Sequence, residues 1–192
     1  MLAGSQVVGQ LKQDAIIGTG TLTFEFGVTG GYDADPASPT YGTYVNPTFT
    51  PTADSAKTVT IDSSNQTLQG IRDAINKANM GVKASIINDG SGTPYRLVLN
   101  SEKTGEAMSM RITGSSPELQ ALAGYDPVAG PQPGGMKEVV RATNAQLTIN
   151  DIAITSASNV VTDAAQGVTM TLKKTGTTSM TLWTDYVPFE QL

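Results

Sequence analysis

Four groupings of side chains in this sequence have the chemistry to act on a ligand. Ser55 precedes Lys57 and Ser101 precedes Lys103, the residue types of a dyad in which an amine takes a hydroxyl proton. Glu102 and Glu106 bracket the turn "EKTGEA" and Glu25 lies in an alternating segment, so the two carboxylates of glycoside hydrolysis are present in type. Asp33 and Asp35 resemble the opening of a calcium loop, but the Glu that closes such a loop is missing. Tyr32, Tyr41 and Tyr44 share one polar stretch, where their rings could stack on sugar or protein, or pin the stretch to its own domain.

The plainer reading of each is stronger. Both Ser/Lys pairs fall at junctions of strand and turn, where solvated polar residues are ordinary. The carboxylates of "EKTGEA" suit a soluble hairpin tip. Gly18, Gly20 and Gly27 of "GTGTLTFEFG" precede no helix, so a phosphate cradle fails its own context. The chain holds no His and no Cys, which removes imidazole acid–base chemistry, thiol nucleophiles, disulfides and the usual zinc sites. No catalytic residue, cofactor or metal site is therefore expected.

Charge narrows the partners. Only 15% of the 192 residues are charged and the net charge is -5, which argues against nucleic acid and against an anionic membrane surface. No apolar run approaches a membrane span, and "MLAGSQVVGQLKQD" lacks the basic start of a signal peptide. Abundant Thr, Ser, Asn and Gly suit β-structure with many turns facing solvent.

The elements that must position these groups follow from periodicity. Leu22, Phe24 and Phe26 alternate with polar residues and predict a strand. From Gly27 to about Lys57 the pattern dissolves into a polar loop or loose hairpin. Val59 and Ile61 mark a short strand. Leu68, Ile71, Ile75 and Ala78 then fall on one stripe of a helix, with Thr67 as N-cap and Gly81 as stop. Gln69, Arg72, Asp73, Asn76 and Lys77 form its solvent face, with Asp73 and Lys77 one turn apart as an ion pair. Three strands follow, marked by Val82/Ala84/Ile86, Tyr95/Leu97/Leu99 and Met108/Met110/Ile112, joined by hairpins into a sheet that the helix covers. Ser116 and Pro117 start a short second helix, and "DPVAGPQPGGM" reads as an inter-domain connection. The last third alternates in short segments: a hairpin with Asn150-Asp151 at its tip, a polar turn "SASNVVTDAAQG", then strands marked by Val168/Met170/Leu172 and Met180/Leu182. The fold class is α+β, mainly β: two β-rich domains of mostly antiparallel strands, one of them with a helix packed on its sheet.

Residues 67–105 closely resemble the flagellin-hook IN motif, in Thr67-Leu68, Ile75-Asn76, Gly81 to Ser85 and Arg96 to Gly105. Leu2 to Gly27 resembles the N-terminal region of the flagellar filament cap family, also called the hook-associated protein 2 or FliD family, and Ala145 to Gly176 resembles the start of its C-terminal region. Three matches in the family's order resemble a cap rather than a flagellin. The resemblance implies a head fragment of a longer protein whose coiled-coil segments lie outside it. It implies a discontinuous inner head domain, 1–19 plus 138–192, and an inserted outer domain, 20–137, with the IN motif at about 57–113. It also implies a structural assembly protein rather than an enzyme, secreted through the flagellar export apparatus to the extracellular tip of the bacterial flagellum. There it would join copies of itself in a ring-shaped cap and help exported flagellin fold and insert. Tyr32, Tyr41, Tyr44, Arg72 and Lys77 are the candidate contacts to partners. An adhesin for host mucin or glycans, motivated by the three tyrosines, is the second reading, and a Ser/Lys or carboxylate hydrolase a distant third.

Overall fold

A computed structural model describes residues 2–4, 9–10, 12–130 and 135–179. The chain divides into two compact units, 1–158 and 159–192. Most of the first is two antiparallel sheets and two helices around one core; the unit is mostly β, in accord with the expected class.

One sheet is built on β2 (Gly20–Tyr32). β4 (Lys57–Ile61) and then β3 (Tyr44–Pro51) follow one another along one edge of β2, and β7 (Ser109–Gly114) runs along the other. The second sheet has the order β5 (Val82–Asn88), β6 (Tyr95–Ser101), β1 (Leu2–Gly4), β8 (Met136–Glu138). Helix α1 (Leu68–Lys77) and helix α2 (Pro117–Ala123) complete the core. The alternating positions fill it as the period requires: Leu22, Phe24, Val59, Ile61, Val82, Ala84, Leu97, Leu99, Met110 and Ile112 are all buried. Leu68, Ile71 and Ile75 enter from α1, and Leu119 and Leu122 from α2. Full burial of each such side chain stabilises by roughly 1.5–3 kcal/mol.

Both helix starts are capped as expected. Thr67 Oγ1 accepts from the Gly70 amide at 3.1 Å, and Ser116 Oγ accepts from that of Leu119 at 3.4 Å. The other first-turn donors of α1 go to an upstream stretch: Leu68 N–H bonds Ala15 O and Gln69 N–H bonds Gln13 O, each at 3.0 Å.

One open choice resolves and three expectations need correction. Of the two readings of the stretch from Gly27 the hairpin holds: β2 runs on to Tyr32 and pairs with β3, leaving a loop over 33–43. Two of its four prolines, Pro47 and Pro51, sit in β3, where an edge strand tolerates them, and Pro36 and Pro39 lie in the loop. The three strands after α1 do not share a sheet, because a 3-10 turn at Glu106–Met108 takes the chain from β6 into the other sheet as β7. Ala78, at the end of α1, is exposed. "SASNVVTDAAQG" is not a turn but contains β11 (Val160–Ala165), which pairs with β12 (Val168–Thr171).

The hairpin at Asn150-Asp151 forms as expected, from β9 (Ala145–Ile149) and β10 (Ile152–Ser156). Both tip residues take the left-handed conformation, φ 48° and 64°, that a two-residue hairpin turn demands. The expected strand at Met180 and Leu182 and the C-terminal "DYVPFEQL" lie outside the described residues. Among the described residues no helix is long and apolar enough to cross a membrane.

Candidate functional site

The residues that define the helix–strand unit do structural chemistry. Ile75 is fully buried, while its neighbour Asn76 turns back to β5. The Asn76 amide donates to the Ala84 carbonyl at 2.9 Å and its oxygen accepts from the Ala84 N–H at 2.8 Å. β5 is an edge strand, and this pair of bonds occupies outward groups on its open side. Asn76 is therefore not on the solvent face, as the helical spacing suggested. The spacing locates a side chain around the helix axis but not the strand edge within its reach.

Three other strands are tied at single points. Asn65 donates to Thr60 O on β4 at 3.2 Å, and Tyr125 exchanges two backbone bonds with Ile112 on β7. The Met136 amide of β8 bonds Gly124 O. Arg96, only 9% exposed, pairs with Asp89 and also donates to Ser91 at the tip of the β5–β6 hairpin. Hydrogen bonds from Ser91 and then from Arg96 hold the Asp89 carboxyl down at about 2. Arg111 bonds Glu25 at 2.7 Å across β2 and β7 and lies 4.7 Å over the Phe49 ring.

Two of the three candidate tyrosines come together. Tyr32 and Tyr44 are directly paired across β2 and β3, with ring centroids 5.3 Å apart in an edge-to-face arrangement. Arg141 lies 3.4 Å from the Tyr32 centroid, and the Tyr44 hydroxyl donates to Glu138 at 3.0 Å. Burial, then the Glu138 charge, pushes the Tyr44 phenol well above its ordinary value; burial and the same carboxylate do so for Tyr125. Tyr41 stands apart and is 56% exposed. No local signal in the sequence links the cluster's polar half to the rings, because 94 residues separate Glu138 from Tyr44 and Arg141 lies farther still from Tyr32.

Arg72 bonds Asp73 at 2.7 Å, so Asp73 takes Arg72 and not the expected Lys77. Lys77 is exposed in the last turn of α1, where a cation suits the helix dipole. The remaining chemical candidates serve turns. Ser101 Oγ accepts from the backbone of Lys103, and Ser55 Oγ donates to Phe26 O. Asp33 accepts from the Asp35 amide and from the Thr40 hydroxyl, and Glu25 is held by Arg111. Among the described residues no cluster of three or more acidic side chains forms.

The chain is a β-rich module whose polar side chains tie strand edges and brace turns. Two family models give that class a name: Flagellin hook IN motif matches residues 44–103, and Flagellar hook-associated protein 2 C-terminus matches residues 142–186. The chain is 47% identical over 108 residues to Flagellar hook-associated protein 2 of Escherichia coli strain K12, covering 55% of this chain and 22% of that protein. It matches the crystal structure of the flagellar cap protein FliD D2-D3 domains from Escherichia coli with a TM-score of 0.69 and 32% identity, over 92% of this chain and 77% of that one. FliD (HAP2) from Pseudomonas aeruginosa matches with a TM-score of 0.62 and 29% identity, over 91% and 69%. The chain belongs to the flagellar cap protein family, FliD or hook-associated protein 2. It spans 22% to 28% of the length of the curated relatives it matches.

Proposed function

We propose that this chain is head structure of a flagellar cap, which assembles with copies of itself at the filament tip and helps exported flagellin fold and insert there. The observation that carries this reading is the match over 92% of the chain to FliD D2-D3 domains. In this reading the protein is exported, works outside the cell and is structural, not catalytic. The polar groups with catalytic potential are engaged in turns and strand ties, which supports a surface function. A glycan partner gains no support from the relatives' names, and Tyr32 and Tyr44 already face each other, Arg141 and Glu138.

Of the five candidate partner contacts, Tyr41, Arg72 and Lys77 are the better placed, since Tyr41 and Lys77 are exposed and Arg72 is partly so. The inner and outer division, 1–19 plus 138–192 around 20–137, is likewise a proposal about the longer protein. It has to accommodate the pairing of β1 with β6 and β8, and a compact-unit boundary after residue 158. Deleting residues 1–192 from the full-length protein in a motile strain tests the function. The expected outcome is short or absent filaments and lost swimming; normal filament length and motility would refute the cap role.

A further inference from the structure

Among the described strands β3 pairs only with β2, so the other side of its backbone is an open edge. Such an edge is a row of N–H and C=O groups on which a further chain can add a strand. Asn76, Asn65 and Tyr125 occupy edge groups of β5, β4 and β7. β3 is eight residues long and is handled differently. Charge, the common deterrent at an edge, is missing: "YVNPTFTP" has no charged residue. Tyr44, Val45, Thr48, Phe49 and Thr50 are strand formers, so the composition favours a further neighbour.

The direction of the backbone shows what stands in the way. The Thr52 amide donates to Phe26 O at 2.8 Å, in line with the register of β2 and β3. Alternate residues of an antiparallel strand turn their backbone groups to the same side. Counting back from Thr52, Thr50 and Thr48 face β2, and Pro51, Phe49 and Pro47 fall on the open edge. Proline has no N–H. Of the three donors that this part of the edge could offer, only that of Phe49 exists. Pro47 also lies where the register shifts between Gly30 and Tyr32, beside Asn46 with its φ of 47°. An irregularity of this kind adds local twist to the edge. We propose that Pro47 and Pro51 keep a second copy of this chain from adding its own β3 to this edge. The excluded partner is a second copy because β3 laid antiparallel on β3 is self-complementary about a two-fold axis, and no charge opposes the contact. The cap reading gathers copies and gives such a device a use, but the inference stands without that reading.

Restoring the donors tests it. Pro47→Thr/Pro51→Thr is compared with the parent and with Pro36→Thr/Pro39→Thr, which removes the same number of prolines from the loop over 33–43. Both double variants free the unfolded chain to a similar degree, so only the edge differs. Light scattering over a range of concentrations gives the mass, and amide exchange at Phe49 reports the edge. The expected result is concentration-dependent association of the edge variant beyond that of the parent, with the Phe49 amide exchanging at least about tenfold more slowly in the associated form. The loop variant should match the parent in both. Pro51→Thr alone restores one donor where the register is regular, and should associate more weakly in the same way. An edge variant with the parent's mass at every concentration overturns the proposal. So does association without protection of Phe49, and so does equal association of the loop variant. Loss of the fold in both edge variants would show that the prolines hold the strand itself, and overturns it too.

Discussion

The helix–strand unit and the β9–β10 hairpin are both short antiparallel β-structure, yet they are held by different means. In the first, α1, β4, β5, β6 and β7 send Ile71, Ile75, Val59, Val82, Leu99 and Ile112 into one core, and single side chains such as Asn76 and Asn65 close the edges. In the second, the turn is well formed but none of Leu147, Ile149, Ile152 and Ile154 joins that core, and Ile152 is 67% exposed. The difference teaches that regular hydrogen bonding is not the quantity that distinguishes a finished region from an unfinished one. Burial is, because backbone bonds exchange for bonds to water at small net gain, whereas apolar area removed from water does not.

The sharpest way to break this comparison is to truncate one isoleucine in each region. Ile71→Ala removes a fully buried side chain and is expected to cost about 2–5 kcal/mol in urea unfolding. Ile152→Ala in the same 192 residues is expected to stay within about 0.5 kcal/mol of the parent. Similar losses at both sites would mean that the hairpin is already covered. Next in size, Asn76→Ala leaves the Ala84 N–H and carbonyl without their side-chain partner and should cost about 1–3 kcal/mol. The same change uncovers part of an edge strand, so light scattering should show more self-association. An unaltered unfolding midpoint would mean that water replaces the amide without loss.

These two sites also show what was legible in the sequence. The Ile71 position is dictated by spacing: residues three and four apart share a helix face, and Leu68, Ile71 and Ile75 of the stripe are buried while Ala78 at its end is not. The role of Asn76 was invisible, because it depends on β5 passing beside α1, a tertiary fact. The same limit explains the sheets. Alternation announces which face of a strand is buried but not which strand lies beside it, so β6 and β7 were assigned to one sheet and belong to two. β3 is legible only as one of two readings and β11 not at all, because "YVNPTFTP" and "VVTDAA" present too few alternating apolar residues. The Asn150-Asp151 turn was legible because left-handed backbone selects its residues locally. Among the candidate contacts, proximity in sequence joined Tyr41 to Tyr32 and Tyr44, whereas the partners that engage those two rings, Glu138 and Arg141, come from far along the chain.

Smaller effects sharpen the picture within the finished region. Thr67→Ala removes the hydroxyl that accepts from Gly70 and should cost about 1 kcal/mol, with the loss seen as faster exchange of the Gly70 amide. The Leu68 and Gln69 amides should stay protected, because their acceptors are the carbonyls of Ala15 and Gln13. Exchange rising equally at all three would mean that the hydroxyl organises the whole helix start.

The least of the expected effects concerns acid. Asp89 sits at the surface, with its carboxylate held by Ser91 and Arg96 down at about 2 against an ordinary value of 3.8. A carboxylate held low in the folded state binds fewer protons than it does unfolded. Its contribution to stability is therefore complete above 3.8 and is lost as the pH falls toward 2. Asp33 and Asp62 are held low by Ser38 and Ser64, so Asp89 accounts for only part of the acid sensitivity. Asp89→Asn should therefore lower the urea midpoint at pH 6 slightly and flatten its decline between pH 4 and pH 2 without abolishing it. An unchanged slope would show that Arg96 does as well facing water, and that the tip of the β5–β6 hairpin is held by its backbone alone.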